Sequence, residues 1–266
     1  MNPIGTSAAP ARPGRRPSTA SSSTKGPDAM QPLLLGTYIT APTDEQLAAT
    51  PYGRLHTYDL ADFLAQWPDL HREALSLLGD SRIHPTAFIH PQAIIGEDVI
   101  IGPHAKIYEF STVRKGSVVC AGASVGFNCE VTAAFVGEGA VLGHRIGINR
   151  TIVGTGAHLS AAVTVAAITM SPHMASPQRE IVMRTEAGAA YRCGTTQFGA
   201  VIGDGTQTGN MISLGPGVVV GRDSQINSGV TLAIRAVPAR SVISAPHTAQ
   251  TQVRSQRPAA TAGTRP

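Results

Sequence analysis

The chain has 266 residues, 28 of them Gly, with 14% charged and 5% aromatic residues. A compact globule gathers more aromatic anchors than this for its core, whereas Gly, Ala, Val and Ile in quantity fit short extended runs joined by tight corners. The net charge of +4 is carried by the ends, since Arg12, Arg15, Arg16 and Lys25 against Asp28 give +3 and Arg254, Arg257 and Arg265 another +3, leaving the body at −2. That body shows no stripe of clustered Lys and Arg, which excludes nucleic acid as a partner. No apolar run reaches membrane-spanning length and no secretory signal core opens the chain. Cys120, Cys129 and Cys193 form no CxxC pair, and an odd, sparse set fits a reducing cytoplasm better than a disulfide framework.

Residues 1–30 and 246–266 are poor in large apolar groups and rich in Ala, Ser, Thr, Pro and Arg. Such composition does not offset the entropy of ordering, so both are expected to be mobile tails. Residues 31–82 read as an N-terminal cap with short helices. LLLGTYIT suggests a strand, and from Tyr58 to Leu78 the apolar residues Leu60, Phe63, Leu64, Trp67, Leu70 and Ala74 recur at helical spacing. Pro68 fits the first turn of a second helix and Gly79 its C-terminal cap. A cap of this kind is expected to close one end of the repeat domain downstream of it.

From Ile83 the period becomes six. IHPTAF, IHPQAI, IGEDVI, IGPHAK, IYEFST, VRKGSV, VCAGAS and VGFNCE all open with Ile or Val, and their fifth residues are small, β-branched or Cys. Strict alternation would be an ordinary strand and 3.6 spacing a helix; a six-residue period fits a coil with flat faces, each hexad supplying one strand and one corner. Three faces close a turn, and the turns stack through parallel hydrogen bonds. The phase runs on through VTAAF, VGEGAV, LGHRIG, INRTI, VGTGAH, LSAAVT and VAAITM, where units 131–135 and 148–152 have five residues. Residues 171–197 break it, with an alternating stretch around Glu186-Ala187-Gly188 that predicts a hairpin loop extruded from the coil. The hexads resume from IGDGTQ, with Thr208 the one polar lead residue. Residues 83–245 are thus read as an all-β solenoid, a left-handed parallel β-helix.

The run from about 95 to 245 resembles the C-terminal β-helix of sugar-1-phosphate nucleotidylyltransferases, in particular the bifunctional N-acetylglucosamine-1-phosphate uridyltransferase and glucosamine-1-phosphate acetyltransferase. VGFNCEVTAAFVGEGAVLGHRIGINRTIVGTGAHLSAAVT is similar to that family in phasing, both five-residue units included. The resemblance implies a hexapeptide-repeat acyltransferase that uses acetyl-CoA or another acyl-CoA as co-substrate and works as a homotrimer with sites between neighbouring coils. It places His144 on the general base and Arg114 near a sugar-phosphate-binding Arg. It also marks departures. VTAAF lacks the sugar-binding Lys, and Gly147 and Arg150 replace a Tyr and an Asp. Ala245 stands where a coenzyme-A-binding Arg is expected, with Arg254 and Arg257 following it as candidates. Upstream of the coil no Gly-rich loop follows a strand, so this chain is not expected to make nucleotide sugars unaided.

His144 is the sharpest candidate, because acyl transfer from a thioester needs a base for the attacking amine or hydroxyl and imidazole titrates near neutrality. A polar third position of a hexad is also what any solvent-facing corner carries. Lys115 beside Arg114 suits a phosphate, and Asn149 and His158 suit an acceptor; a solvated corner or a tight turn explains the same residues. No two of the nine His are five residues apart, the spacing used by the metal-dependent γ-class carbonic anhydrases on a similar coil, and the sequence offers no converging set of three or four zinc ligands. Two functions stay open: a coenzyme-A-dependent acyltransferase acting on a sugar-like or amino-cyclitol small molecule, with or without a phosphate, or a non-catalytic subunit partnering a separate nucleotidylyltransferase.

Overall fold

The computed structural model describes residues 32–246; the two stretches read as mobile tails fall almost wholly outside them. The hexads fold into a left-handed parallel β-helix whose three walls are sheets of eight, seven and nine strands. Successive strands visit the walls in rotation. Phe88–Ile89 lies in the eight-stranded sheet, Ile94–Ile95 in the seven-stranded and Ile100–Ile101 in the nine-stranded; Lys106–Ile107 then returns to pair with Phe88–Ile89. The register places Phe88 opposite Lys106, Ile94 opposite Thr112 and Ile100 opposite Val118, each three hexads on.

The lead aliphatics explain this geometry. Ile101, Ile107, Val113, Val119 and Val125 all point into the prism and are buried, as are the fifth-position residues Val99, Ala105 and Ala123. Where a fifth residue is polar, its hydroxyl is satisfied: buried Ser111 donates to the Gly126 carbonyl and accepts from Cys129 N–H at 3.0 Å. Thr208, the polar lead residue, accepts from Ser160 N–H at 3.0 Å. A buried hydroxyl with both roles filled costs little.

The corner between the seven- and nine-stranded sheets is unlike the other two. Both five-residue units turn there, each through one left-handed residue, Ala133 (φ 47°) or Arg150 (φ 46°), where the preceding six-residue unit uses Lys115 and Gly116 (φ 53° and 70°). The insertion leaves from the same corner. The coil is left after Val163–Val165 and rejoined at Ala200–Ile202, which pairs directly with Ile152–Val153. VAAITM therefore supplies no further rung, and Met170 within it is 91% exposed. The expected hairpin forms from Val182–Arg184 and Ala190–Arg192, antiparallel, with Gly188 at φ 82° in its turn. It lies back along the nine-stranded sheet, next to Arg235–Val237.

The N-terminal segment departs from its sequence reading in three ways. LLLGTYIT makes no strand; Leu35–Thr37 is a 3-10 turn and Leu34 forms a lone bridge to Asp59. After the one-turn helix α1 (Glu45–Ala48), α2 runs unbroken from Leu60 to Leu78 with Pro68 inside it. A proline there forgoes one backbone hydrogen bond, and burial of Phe63, Trp67, His71 and Ala74 on either side holds the helix together. Gly79 does close α2, at φ 51°.

Thirdly, the segment does not close an end of the coil. It lies along the outside of the nine-stranded sheet, from the turn of Asp98, whose carbonyl is 2.7 Å from His71 Nε2, to that of Arg222, which donates to the Gly36 and Thr37 carbonyls. The reason is a column of outward apolar residues found on that wall alone: Ile100, Val118, Phe135, Ile152, Val201 and Val219, all buried. The same column reads Phe88, Lys106, Ser124, Val141, His158, Gln207, Gln225, Val242 on the eight-stranded wall and Ile94, Thr112, Glu130, Gly147, Thr164, Ser213, Thr231 on the seven-stranded, where polar residues predominate and Phe88, Ile94 and Val242 are left exposed. An apolar outer wall exposes a patch that must be covered; Tyr52, stacked on Phe135 at 5.6 Å, and the hairpin residues Ile181, Met183 and Tyr191 cover it.

Candidate functional site

Two concavities flank the seven-stranded wall. The first lies on the eight-stranded sheet and its edge, a groove of about 360 Å³ lined by Tyr108, Glu109, Phe127, His144 and His158 among others. His144 is exposed on the corner after Val141–Leu142, just before the left-handed Arg145 (φ 52°). The rungs stack here almost backbone to backbone, because a Cβ on Gly126 would lie 1.7 Å from the Gly143 carbonyl oxygen. That closeness keeps the groove open beside His144. His158 stands on the next rung, opposite Val141. Two aromatic pairs border the groove's end of the edge, exposed Phe88 with half-buried Tyr108 and exposed Phe110 with exposed Phe127, their rings 6.0 and 5.7 Å apart.

The second is a cleft of about 540 Å³ between α2 and the seven-to-nine corner. Its coil wall presents Lys115, Thr132, Asn149 and Arg150; α2 contributes Trp67 and His71, and the insertion Met174 and Pro177. His71 is fixed at both nitrogens, Nδ1 against the Tyr52 hydroxyl and Nε2 against the Asp98 carbonyl, each at 2.7 Å. Burial is the main cause that holds the His71 pKa below its ordinary value. Burial alone likewise pulls Arg150 down.

The residues singled out from sequence therefore fall into two groups. His144 and His158 share the groove, Lys115 and Asn149 share the cleft, and within one chain the two concavities have no lining residue in common. Arg114, on Thr112–Arg114, lines neither; it is ion-paired with Glu130, and its Nε donates to Thr132 Oγ1 at 3.3 Å. Arg254 and Arg257, the candidates for coenzyme A, lie outside the described residues. Among the described residues no group of three or more His, Cys, Asp and Glu is placed to hold a metal ion, and no helix is long and apolar enough to cross a membrane. The three cysteines are buried thiols, that of Cys193 pushed up to about 12 chiefly by burial, which makes them poor nucleophiles.

Residues 77–182 match the GMPPB C-terminal domain. That span includes Arg114, Lys115, His144, Asn149 and His158, and the chain resembles the C-terminal domains of sugar nucleotidylyltransferases, as its hexad phasing implies. Solved structures with similar coils include PerB from Caulobacter crescentus in complex with CoA and GDP-perosamine, at 17% identity over 71% of this chain and TM-score 0.37. This chain spans 66% of that protein's length. LpxA from Acinetobacter baumannii follows at 17% identity, 61% of this chain and 67% of that one, TM-score 0.31. The N-acyltransferase AntD from Bacillus cereus, in complex with dTDP and 3-hydroxybutyryl-CoA, is 15% identical over 60% of this chain and 73% of its own, TM-score 0.28. None of the curated proteins matches the sequence.

Sequence reasoning does not reach Tyr108, Glu109 and Phe127 beside His144, nor His71 and Arg150 in the cleft. A signal for the first set is present. Tyr108 and Phe127 take the second and third positions of their hexads, where Gly and polar residues are common, and bulky aromatics at a corner mark a surface with a use. His71 and Arg150 are joined by the packing of α2, and nothing in either segment reports on the other.

Proposed function

We propose that this protein is a coenzyme-A-dependent acyltransferase, acting on an amine or hydroxyl of a sugar-like or amino-cyclitol acceptor, with His144 as general base. The observation that carries the reading is the position of His144: exposed, on a corner held tight by Gly126 and Gly143, in a groove with His158 and two aromatic rings. In the reaction the acceptor's nitrogen or oxygen attacks the thioester carbonyl while His144 takes its proton. The tetrahedral intermediate then collapses with loss of coenzyme A as its thiol, the proton returning through the imidazole. His158 and Glu109 line the same groove, and in this reading they hold polar groups of the acceptor.

The groove is open on one side, and Phe88, Phe110 and Phe127 beside it are 49%, 53% and 38% exposed. We assign this edge to contact between copies in a homotrimer, in which a neighbouring coil completes the site and supplies the remaining coenzyme contacts, Arg254 and Arg257 being the candidates. Titration of acetyl-CoA into the purified protein, followed by calorimetry, tests the reading. One saturable site per chain, kept in His144→Ala, is expected; no binding at millimolar acetyl-CoA overturns it.

One observation favours the second reading, a non-catalytic subunit of a separate nucleotidylyltransferase. Arg114, at the sugar-phosphate position, is already neutralised by Glu130. A stable complex with a co-purifying nucleotidylyltransferase, together with no binding of acetyl-CoA, is the outcome that would select it.

A further inference from the structure

The cleft under α2 is larger than the groove of His144 and separate from it. Its volume of about 540 Å³ is that of an ordinary small-molecule site. The α2 and insertion walls are mainly apolar, with Leu64, Trp67, Pro68, Met174 and Pro177, and α2 adds His71 and an Arg72 ion-paired with Asp69; the coil wall carries Lys115, Asn149 and Arg150, and Gln197 adds an amide. The Lys115 ammonium and the Arg150 guanidinium have no hydrogen-bond or ion-pair partner among the described residues. Arg114, one residue from Lys115, shows the alternative, since Glu130 balances it. Among the described residues the sole acid lining the cleft is Asp98, whose carbonyl holds His71.

A half-buried, unpaired Arg is costly unless an anion meets it. Lys115, exposed, and Arg150, half-buried, both stand at left-handed positions of one corner (φ 53° and 46°), two rungs apart with Ala133 between them, and both line the cleft. Two cations at one side suit a pair of linked phosphates. A slot between Trp67 and Pro68 on one wall and Met174 and Pro177 on the other suits a flat, apolar ring. Asn149, Gln197 and Asp98 supply donors and acceptors for the edges of a base and for ribose hydroxyls.

From this arrangement we propose that the cleft binds a nucleoside 5′-diphosphate group, free or as part of a larger molecule. The chemistry is shared by nucleotide-linked sugars and by the adenosine diphosphate portion of coenzyme A. The proposal does not rest on the acyltransferase reading, because the cleft holds none of the residues assigned there to catalysis.

Trp67 is the one tryptophan of the chain and lines the cleft, so its fluorescence reports occupancy directly. The experiment titrates GDP, UDP and ADP into the full chain, with pyrophosphate, guanosine and coenzyme A as further arms. At least one nucleoside diphosphate is expected to change the Trp67 emission saturably at one site per chain. Lys115→Asn and Arg150→Asn should each weaken it about tenfold or more; Asn tolerates the left-handed backbone, and thermal melting confirms that the variants fold. His144→Ala should bind as the wild type does. A preference for GDP or UDP identifies a nucleotide-linked sugar as the source, and coenzyme A competing with ADP identifies the coenzyme. Pyrophosphate binding as tightly as every nucleotide, no emission change up to millimolar ligand, or binding that survives both substitutions would overturn the proposal.

Discussion

His144 draws its interest from its neighbours as much as from its chemistry. An imidazole on a corner is unremarkable by itself; one set between stacked glycines, with an open groove alongside, has room for a substrate to approach. Gly126 is the residue that keeps that room. A Cβ there would sit 1.7 Å from the Gly143 carbonyl oxygen, so Gly126→Val must push two rungs apart. Overpacking of this sort costs about 1–3 kcal/mol or more. A lowered denaturation midpoint is expected for Gly126→Val, and an unchanged midpoint would show that the rungs are not in contact there. At this scale the sequence is informative in an uneven way. The six-residue period puts His144 on a corner. It does not show that Lys115 and Asn149 face a different cavity, because a coil corner's neighbours depend on what packs outside it, and α2 is separated from both by a long stretch of chain.

At the level of elements, the N-terminal segment shows where pattern reading stops and why. Its apolar spacing gives the helix, but the partner surface is written elsewhere, in Ile100, Val118, Phe135, Ile152, Val201 and Val219, the last strand position before the lead residue on every third hexad. Read as one column these residues announce a wall that is apolar outside as well as inside; read hexad by hexad they vanish among positions that are mostly polar on the other two walls, with Phe88, Val141, Val242 and Ile94 interspersed. The strand expected in LLLGTYIT fails for the same reason, since Leu33 and Leu35 are buried in the cluster on this wall and Leu34 makes only a lone bridge. Phe135 is the centre of the contact, stacked on Tyr52. Phe135→Ala should cost about 3–5 kcal/mol, measured by chemical denaturation; a loss under about 1 kcal/mol would mean that the segment does not depend on this wall.

The same contact carries a pH dependence. Burial holds the His71 pKa below its ordinary 6.5, so the unfolded chain takes up a proton near that pH while the folded chain resists it. Stability from this source is complete above about 6.5 and falls as the pH drops through and below it. The groups facing the ring are the Tyr52 hydroxyl, itself receiving Trp67 Nε1–H at 3.2 Å, and the Asp98 carbonyl. The denaturation midpoint of the wild type should fall between about pH 7.5 and 5.5 by more than that of His71→Gln. Equal falls would show that His71 titrates as freely in the fold as out of it.

For the molecule as a whole, one wall is covered by α2 and the hairpin, and two are left open and mainly polar, with the aromatic rings of Phe88, Phe110 and Phe127 collected along the edge that holds His144. The trimer proposed on that edge would account for the rings and complete the groove. Phe110→Glu with Phe127→Glu should convert trimer to monomer in sedimentation with the coil intact by circular dichroism; a wild-type chain that sediments as a monomer would remove the need for a shared site. The repeat itself is legible from sequence, because each rung repeats the same burial of one aliphatic and one small residue, except at VAAITM, which continues the phase and yet forms no rung. The decoration of the coil is legible only in part, since it is made by contacts between distant segments.

Catalysis by His144 is tested most directly by release of thiol from acetyl-CoA, by the wild type and by His144→Ala, in the presence of a panel of amino and hydroxy sugars and their phosphates. Acceptor-dependent release by the wild type is expected, with a loss of about 10²-fold or more in the variant and acetyl-CoA binding preserved. Equal release by the two proteins would contradict a general base at His144.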